Sequence, residues 1–205
     1  MLAEKSSTQK PLSDEETEEL LLSALENVAL DGKKVLVLIP DHTRPAPLGK
    51  FFRLLFDILS PRVDVLDYLI ALGTHPPMTE NKILELIGIT SEERGTKYKN
   101  LNIFNHRWDR PETLRTIGLI PAHEVSDISG GLLREDVSIA VNKLVFDYDH
   151  VILVGPTLPN VVAGFSGGYK YFFPGISGPE FLHLFHWLGA LLTNLKCTQT
   201  HSPFK

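Results

Sequence analysis

The segment that decides the fold of this chain is KVLVLIPDHTRP, residues 34–45. It begins with one charge followed by five consecutive apolar residues, the pattern of a strand that is buried on both faces of a parallel sheet. Two prolines keep the polar turn that follows out of a helix. From Leu48 to Leu59, Leu and Phe residues then recur at helical spacing. Strand, polar turn and helix in this order predict one unit of an α/β fold.

The same order recurs along the chain. Residues 63–72 predict a second strand, which ends in the polar segment GTHPPMT, residues 73–79. Thr79 can cap a predicted helix over 80–87. Three shorter segments are also predicted strands: 101–104, 113–117 and 151–154. The alternation predicts an α/β fold with a mainly parallel sheet and flanking helices.

Several further helices are predicted. Ser13 and Glu16 have the spacing of a capping box at the start of an amphipathic helix. Other helices are expected over residues 90–99, over 138–147, and from Gly178 or Pro179 to about Leu192, whereas 121–134 show no clear pattern. We therefore expect a flexible tail over 1–12, one α/β domain over 13–192 and an irregular tail over 193–205.

Composition restricts the class of protein. The chain has 205 residues, 43% of them hydrophobic, which is enough for a substantial core. The net charge of −5 argues against a surface for nucleic acid or anionic membranes. The single cysteine, Cys197, excludes an intramolecular disulfide. No apolar run is long enough to span a bilayer and the N-terminus lacks a signal-peptide core, so a cytoplasmic protein is expected.

Three predicted strands end in segments rich in polar groups: residues 40–45, residues 73–79 and the segment LPNVVAGFSGGYKYFFPGISG, residues 158–178. Ligands of parallel sheets bind at the carboxyl ends of the strands. We therefore expect the three segments to form one site on one edge of the sheet.

The third segment contains GFSGGYK, residues 164–170. Glycines let a backbone approach a ligand closely, its N–H groups can cradle an anion, and Lys170 can supply a charge or a nucleophilic amine. A plain glycine turn followed by a solvated lysine is the alternative. Ser166 lacks the G-x-S-x-G spacing of a nucleophile elbow, so a serine hydrolase is not expected.

The first two segments carry further candidate residues. Arg44 can hold a phosphate or a carboxylate, and Asp41 can accept a hydrogen bond from a ribose hydroxyl. The alternative is a local Asp–Arg pair that stiffens the turn. His42 is expected to be a backbone contact or a surface residue. His75 lies in a stiff loop and suits acid–base work, because imidazole titrates close to neutral pH; the alternative is a structural histidine.

Other histidines are harder to interpret from sequence. His183 and His186 are three positions apart on the last predicted helix and share a face. They can form a metal pair, or one can be a ligand while the other packs, or both can be half-buried in an apolar helix. His106 and His123, each close to an acidic residue, are predicted to be solvated loop residues.

Taken together, the motifs resemble the nickel-dependent lactate racemase family, the nickel-pincer nucleotide enzymes. The matching segments are DHTRP (41–45), ALGTHPPMT (71–79), Asn105-His106, and AGFSGGYK (163–170) continuing through Pro174-Gly175. They occur in the family's order and extend over residues 34–192. Several matches in the right order are much more specific than any single one.

The resemblance implies a fold of two α/β domains with the site in the cleft between them. It implies the cofactor Ni(II)-pyridinium-3,5-bisthiocarboxylate mononucleotide, which Lys170 would hold through a thioamide and whose nickel His186 would ligate. Residues Asp41, His42, Thr43 and Arg44 would bind the mononucleotide. His75 would be one of two catalytic histidines that exchange a proton with the hydroxyl of a 2-hydroxy acid, while a hydride moves reversibly to the cofactor.

Two differences from the family pattern shape the functional expectation. Asn160 stands where the family has its second catalytic histidine, and an amide can hydrogen-bond a substrate but cannot take its proton. We therefore expect a different 2-hydroxy acid, or the epimerisation of a polyol acid with another base. The chain also ends soon after His186, whereas family members continue into a C-terminal domain, so a truncated form lacking most or all of that domain is expected, with a partner chain to supply it.

Three functions follow from these observations. The first is a racemase or epimerase of a 2-hydroxy acid. The second is a non-catalytic cofactor-binding module, or a degenerate fragment that needs a partner chain. The third, weaker alternative is an unrelated α/β domain that binds a nucleotide or a phosphate.

Overall fold

The centre of the fold is a four-stranded parallel sheet. The structure, a computed structural model, describes residues 4–6, 10–160 and 164–197, with side chains as far as residue 191. The strands are β1 (Lys34–Pro40), β2 (Val65–Ala71), β3 (Ile103–Asn105), β4 (Leu114–Ile120), β5 (Val137–Asn142), β6 (His150–Leu153), β7 (Pro159–Asn160) and β8 (Gly164–Phe165). The helices are α1 (Asp14–Leu25), α2 (Leu48–Leu59), α3 (Glu80–Ile87), α4 (Ser91–Gly95), α5 (Ala122–Ser129) and α6 (Pro179–Cys197). Short 3-10 helices occupy Pro111–Thr113, Lys143–Phe146 and Gly168–Tyr171.

The sheet has the strand order β3-β2-β1-β6, and every pairing in it is parallel. Strand β1 lies between β2 and β6, so it is a central strand of the sheet. The predicted α/β fold with a mainly parallel sheet and flanking helices is confirmed. An arrangement of this kind leaves a crevice beyond the carboxyl end of the central strand, where ligands bind.

Strand β1 is buried on both faces, which explains its uninterrupted apolar run. Residues 35, 37 and 39 belong to a core that β1 shares with helix α2. Leu36 and Leu38 point to the opposite face and pack with Tyr171 and Ile176. Each such buried side chain contributes about 1.5–3 kcal/mol relative to exposure. The second core holds the glycine-rich segment against the central strand.

The predicted start of the first helix is confirmed. The backbone N–H of Glu16 donates to the hydroxyl of Ser13 at 3.1 Å, and the N–H of Ser13 donates to the Glu16 carboxylate at 2.9 Å. Two otherwise unsatisfied donors are thereby paired, and such a cap is typically worth about 1 kcal/mol.

The predicted helix over 138–147 is wrong. Residues 137–142 form strand β5, which pairs antiparallel with β4 from Leu114 opposite Asn142 to Ile120 opposite Val137, and a 3-10 turn follows. Residues 137, 139 and 141 are β-branched and suit a strand, and pairing with β4 decides the conformation.

Helix lengths also differ from the predictions. The segment 90–99 contains only the short helix α4, which Thr90 caps. The segment 121–134, for which no pattern was found, contains α5, which Gly130 ends in a left-handed conformation at φ +66°. Helix α6 continues past Leu192 to Cys197, so the first residues of the predicted irregular tail are helical.

Parts of both predicted tails, 1–3, 7–9 and 198–205, lie outside the described residues. Within the portion of the chain that the structure covers, no helix combines the length and the apolar character needed to cross a bilayer.

Candidate functional site

The three polar segments meet in one cleft at the carboxyl ends of β1 and β2, as their positions after neighbouring strands led us to expect. The cleft has a volume of about 210 Å³. The predicted site residues that line it are Asp41, Thr43, Arg44, His75, Asn160, Lys170 and His186. His42 is exposed and is not among the lining residues. Helix α6 closes one side of the cleft and also contributes Phe185, which the sequence did not single out.

Asp41 is buried at the start of the first segment, where strand β1 ends. Its Oδ1 accepts hydrogen bonds from the backbone N–H of Thr43 at 3.1 Å and from the Thr43 hydroxyl at 2.6 Å. Its Oδ2 lies 2.5 Å from Nδ1 of His75. Among the residues that the structure describes, the Asp41 carboxylate forms no ion pair with Arg44. The local Asp–Arg pair considered from sequence is therefore replaced by an Asp–His contact between two segments.

The balance of forces on Asp41 favours its ionised form. Burial raises the pKa of this carboxyl group, but hydrogen bonds from Thr43 and His75 outweigh burial and bring the pKa below its ordinary value. The carboxylate is therefore a fixed negative charge on the floor of the cleft at neutral pH.

The second segment places His75 by backbone hydrogen bonds. Gly73 has φ +54°, which favours glycine, and its N–H donates to the carbonyl of Gly175 at 2.8 Å. The N–H of His75 donates to the carbonyl of Leu72 at 2.9 Å. The loop is thus tied both to itself and to the third segment, while the His75 side chain remains 47% exposed.

Asn105 anchors the far end of the same loop. Its side-chain oxygen accepts from the N–H of Met78 at 2.9 Å, and its amide nitrogen donates to the Met78 carbonyl at 2.9 Å. The side-chain amide thus pairs with both the backbone N–H and the backbone carbonyl of Met78, as a neighbouring strand would. Asn105 belongs to a matching motif, and its role in holding the loop could not be read from the sequence.

The third segment begins with the hairpin of β7 and β8. Ser166 closes this hairpin: its N–H donates to the Leu158 carbonyl at 2.7 Å, and its hydroxyl lies 3.2 Å from both the N–H and the carbonyl of Leu158. Gly167 follows with φ +89° and directly precedes the 3-10 helix that carries Lys170. The serine hydroxyl is therefore used structurally.

Lys170 is half-buried beside an aromatic ring. Its Nζ lies 5.0 Å from the centre of the Phe185 ring. Burial lowers the pKa of Lys170, and the neighbouring Arg44 guanidinium lowers it further. Both effects favour the neutral amine, which is the nucleophilic form. A solvated surface lysine, the alternative considered from sequence, does not describe this environment.

Tyr171 holds the lysine-bearing turn in place. The side chain is buried in the second core, and burial raises the pKa of Tyr171 to about 12. Its hydroxyl packs directly on the backbone of Gly155, where an added Cβ would lie 1.6 Å from the hydroxyl oxygen. Only a residue without a Cβ fits at this position, just after β6.

Gly155→Ala is therefore expected to destabilise the protein by about 1–3 kcal/mol, the usual cost of overpacking, because Tyr171 must move. Urea unfolding monitored by circular dichroism would measure the loss. Gly95→Ala is the matched control, since a Cβ there meets no atom within 4 Å. Equal stability of the two variants would contradict the packing seen around Tyr171.

The two histidines of α6 face different surroundings. His186 lines the cleft, whereas His183 lies edge-on to Trp108, with ring centres 6.3 Å apart. Partial burial lowers the pKa of His186, and the charges of His183 and Lys170 lower it further. The neutral imidazole that results is the metal-binding form. Of the alternatives left open by spacing, a metal pair is disfavoured and one cleft-lining candidate ligand remains.

His106 corrects a prediction. It was expected to be solvated, but it is fully buried, with Nε2 3.1 Å from the Ser177 carbonyl and Nδ1 3.2 Å from the Asn142 amide nitrogen. Burial lowers the pKa of His106 to about 4. The neutral ring donates through Nε2 and accepts at Nδ1, and it joins the end of β3 to the segment that follows the lysine loop.

Comparisons with known proteins agree with the geometry. A family model described as the lactate racemase N-terminal domain matches residues 4–196. The lactate racemase of Thermoanaerobacterium thermosaccharolyticum is 30% identical over 166 residues, which cover 76% of this chain and 33% of that protein. The lactate racemase of Lactiplantibacillus plantarum is 29% identical over 177 residues, covering 81% and 37%. The chain therefore spans about a third of the length of these curated relatives.

Solved structures show the same relationship. A crystal structure of a protein from Thermotoga maritima superposes with a TM-score of 0.77 at 34% identity, covering 89% of this chain and 43% of the other. The lactate racemase apoprotein from Thermoanaerobacterium thermosaccharolyticum gives a TM-score of 0.58 at 28% identity, covering 78% and 37%. The resemblance drawn from the four motifs is confirmed.

Proposed function

The chain belongs to the lactate racemase family through its N-terminal domain, and from this premise we propose that its cleft holds a nickel-pincer nucleotide and isomerises a 2-hydroxy acid. The observation that carries the proposal is the convergence of Arg44, His75, Lys170 and His186 on one cleft. Their side chains offer a cation, an acid–base group, an attachment point and a metal ligand.

The donor set fits the proposed cofactor, Ni(II)-pyridinium-3,5-bisthiocarboxylate mononucleotide. Among the described residues, no group of three or more His, Cys, Asp or Glu side chains can hold a metal ion. The described residues alone therefore offer too few ligands for a metal, and this fits a metal whose other ligands come from a bound molecule. The thiocarboxylates supply sulfur and His186 supplies one imidazole, a combination that suits nickel. Arg44 has the charge and shape to hold the phosphate of the nucleotide.

Lys170 is the proposed covalent attachment point. Partial burial and the Arg44 charge favour its neutral amine, whose nitrogen can bond to a thiocarboxylate carbon to give a thioamide with loss of water. The aromatic face of Phe185 limits the directions in which the Lys170 side chain can point. Arg44 and His186 line the same cleft and would be available to hold the attached group.

His75 is the proposed acid–base residue. When bound, the cofactor would supply the acceptor for a hydride from the substrate carbon. That transfer requires removal of the hydroxyl proton, which His75 can accept and later return. The exposed half of its ring gives a small molecule in the cleft access to it.

The amide of Asn160 is expected to make this chain a poorer lactate racemase than a family member with two catalytic histidines. It lines the cleft but cannot act as a base. With cofactor bound, Asn160→His is expected to raise lactate racemisation by about 100-fold, the lower end of what a positioned acid–base group supplies. Asn160→Gln, which keeps an amide, serves as the control. Equal rates for the parent and Asn160→His would contradict this role.

A non-catalytic cofactor-binding module is the second candidate, and the amide at Asn160 is the observation that favours it. Such a module would gain cofactor and nickel but turn over no hydroxy acid. Screening the loaded chain against a panel of 2-hydroxy acids separates the two candidates.

The direct test is to co-express the chain with cofactor-making enzymes and measure intact mass and nickel content. The proposal predicts a mass gain equal to that of the cofactor less water, together with near-stoichiometric nickel. Unmodified mass without nickel would overturn it in favour of an α/β domain with another ligand.

A further inference from the structure

We propose that Asp41 is a positioning residue that fixes the tautomer of His75, placing the ring proton on Nδ1 and leaving Nε2 as the nitrogen that exchanges a proton in the cleft. This role for Asp41 differs from the ribose contact expected from sequence. It rests on the proposed function only for the identity of the molecule that gives or takes the proton.

The two carboxylate oxygens of Asp41 have different hydrogen-bond partners. The two Thr43 donors both point to Oδ1, so that oxygen is occupied within the turn. Oδ2 faces Nδ1 of His75 at 2.5 Å. A carboxylate can only accept, so the Nδ1 atom must carry a hydrogen to make this bond. In the neutral ring the lone pair then resides on Nε2.

The frame around the pair is rigid. Asp41 directly follows Pro40, which pairs with Ala71 at the ends of the neighbouring strands β1 and β2. His75 lies four residues beyond Ala71, after the turn that its own N–H closes onto Leu72. The Asp41 side chain is only 4% exposed, so water does not compete strongly for its oxygens.

The exposure of the two side chains separates their roles. The carboxylate is buried and fully engaged by the protein, whereas the imidazole is 47% exposed and lines the cleft. A proton that leaves a ligand hydroxyl would bond to Nε2, and the ring would become a cation paired with the Asp41 carboxylate. Asp41 stabilises that cation without taking the proton itself, as buried carboxylates do in other Asp–His pairs.

Nitrogen NMR of the 205-residue chain, with ¹⁵N-labelled histidine and without cofactor, reads the tautomer directly. Correlations between ring protons and ring nitrogens distinguish a protonated nitrogen from a bare one, and His75→Gln identifies the signals. Above neutral pH, we expect His75 to show a protonated Nδ1 and a bare Nε2. A protonated Nε2, or equal populations of the two tautomers, would overturn the proposal.

The variant Asp41→Asn tests the proposal by replacing the oxygen that faces His75 with a donor of similar size. Because the Thr43 donors hold the oxygen of the new amide at the Oδ1 position, its NH₂ group would face Nδ1. Nδ1 must then accept, and the ring proton is expected to move to Nε2. An unchanged His75 spectrum in this variant would overturn the proposal. Asp31→Asn, which alters an exposed partner of Arg62, is the control and should leave His75 unchanged.

The design remains informative if Asp41→Asn does not fold, since the parent spectrum alone decides the tautomer. Thr43→Val adds a milder change, because it removes the hydroxyl donor to Oδ1 and keeps the side-chain shape. It should leave the majority tautomer on Nδ1. No cofactor or substrate is needed, so a failure to bind nickel would contradict the proposed function and leave the tautomer assignment standing.

Discussion

Replacing Lys170 by alanine is expected to abolish both the covalent mass gain and the retention of nickel when the chain is co-expressed with cofactor-making enzymes. The side-chain amine is the only atom of Lys170 that can bond to the thiocarboxylate. Without it the cofactor would be held by Arg44 and one imidazole, contacts that dialysis against a chelator can compete with. Intact-mass spectrometry and metal analysis before and after dialysis measure both losses.

Lys170→Arg separates the covalent role from the electrostatic one. Arginine keeps a positive charge beside Arg44 and the Phe185 ring, but its guanidinium stays protonated and is a poor nucleophile at neutral pH. We therefore expect no mass gain and at most weak, dialysable nickel. Lys143→Ala is the control, since Lys143 is exposed on another 3-10 helix and should load like the parent.

Two results of these loading experiments would each contradict a different part of the role proposed for Lys170. A parent that loads together with a Lys170→Ala variant that loads equally would mean that attachment occurs elsewhere. Loss of nickel with an unchanged mass gain would mean that Lys170 affects the metal and not the bond. Both results would leave the family membership intact and would mean that Lys170 is not the covalent attachment point.

The edge of the sheet where the site lies could be predicted from sequence because each polar loop of the site directly follows a strand in the chain. The polar residues 40–45, for example, come immediately after the apolar run that identifies β1. Parallel strands place their carboxyl ends on one edge. Arg44, His75 and Lys170 could therefore be assigned to one cleft from the sequence alone.

Contacts between distant segments could not be predicted in the same way. His106 is buried by partners 36 and 71 positions away, Asn142 and Ser177, and no local period encodes such distances. Strand β5 likewise depends on pairing with β4, from which the helix α5 separates it in the chain. Periodicity describes one face of one element, whereas burial is decided by what covers that face.

The same limit applies inside the site. From the sequence, Asp41 and Arg44 were expected to bind a ligand, and the alternative was a local pair between them, since the two lie within one turn. The structure pairs Asp41 with His75, 34 residues away, because β1 and β2 are neighbours in the sheet. The local motif therefore identified residues that line the cleft, but it could not reveal the partner of the Asp41 carboxylate.

Acidification is expected to destabilise the fold strongly through His106. A histidine in an unfolded chain titrates near pH 6.5, whereas burial lowers the pKa of His106 in the folded protein to about 4. Above pH 6.5, the His106 ring is neutral in both the folded and the unfolded chain, and its full contribution to stability is present. As pH falls from about 6.5 to about 4, the unfolded state binds a proton that the folded state excludes, and stability is lost.

The size of the effect follows from the pKa difference. At about 1.4 kcal/mol per pKa unit, the loss approaches roughly 3 kcal/mol at the acidic end of the window. Two carboxylates act in a lower pH range, because hydrogen bonds to arginine side chains hold the pKa values of Glu93 and Asp109 at about 2. Their contribution is lost mainly below pH 4, so the His106 window can be separated from theirs.

The measurement is urea unfolding of the parent and of His106→Gln at several pH values between about 7 and 4. Glutamine cannot gain a proton, so the variant should be less stable than the parent near neutrality and lose less stability on acidification. The difference between the two proteins should shrink steadily as pH falls through the window. His123→Gln, which changes an exposed histidine on α5, should follow the parent. Parallel curves for the parent and His106→Gln would mean that His106 is not held neutral by burial, and that the bonds to Ser177 and Asn142 are made by a ring that can accept a proton in place.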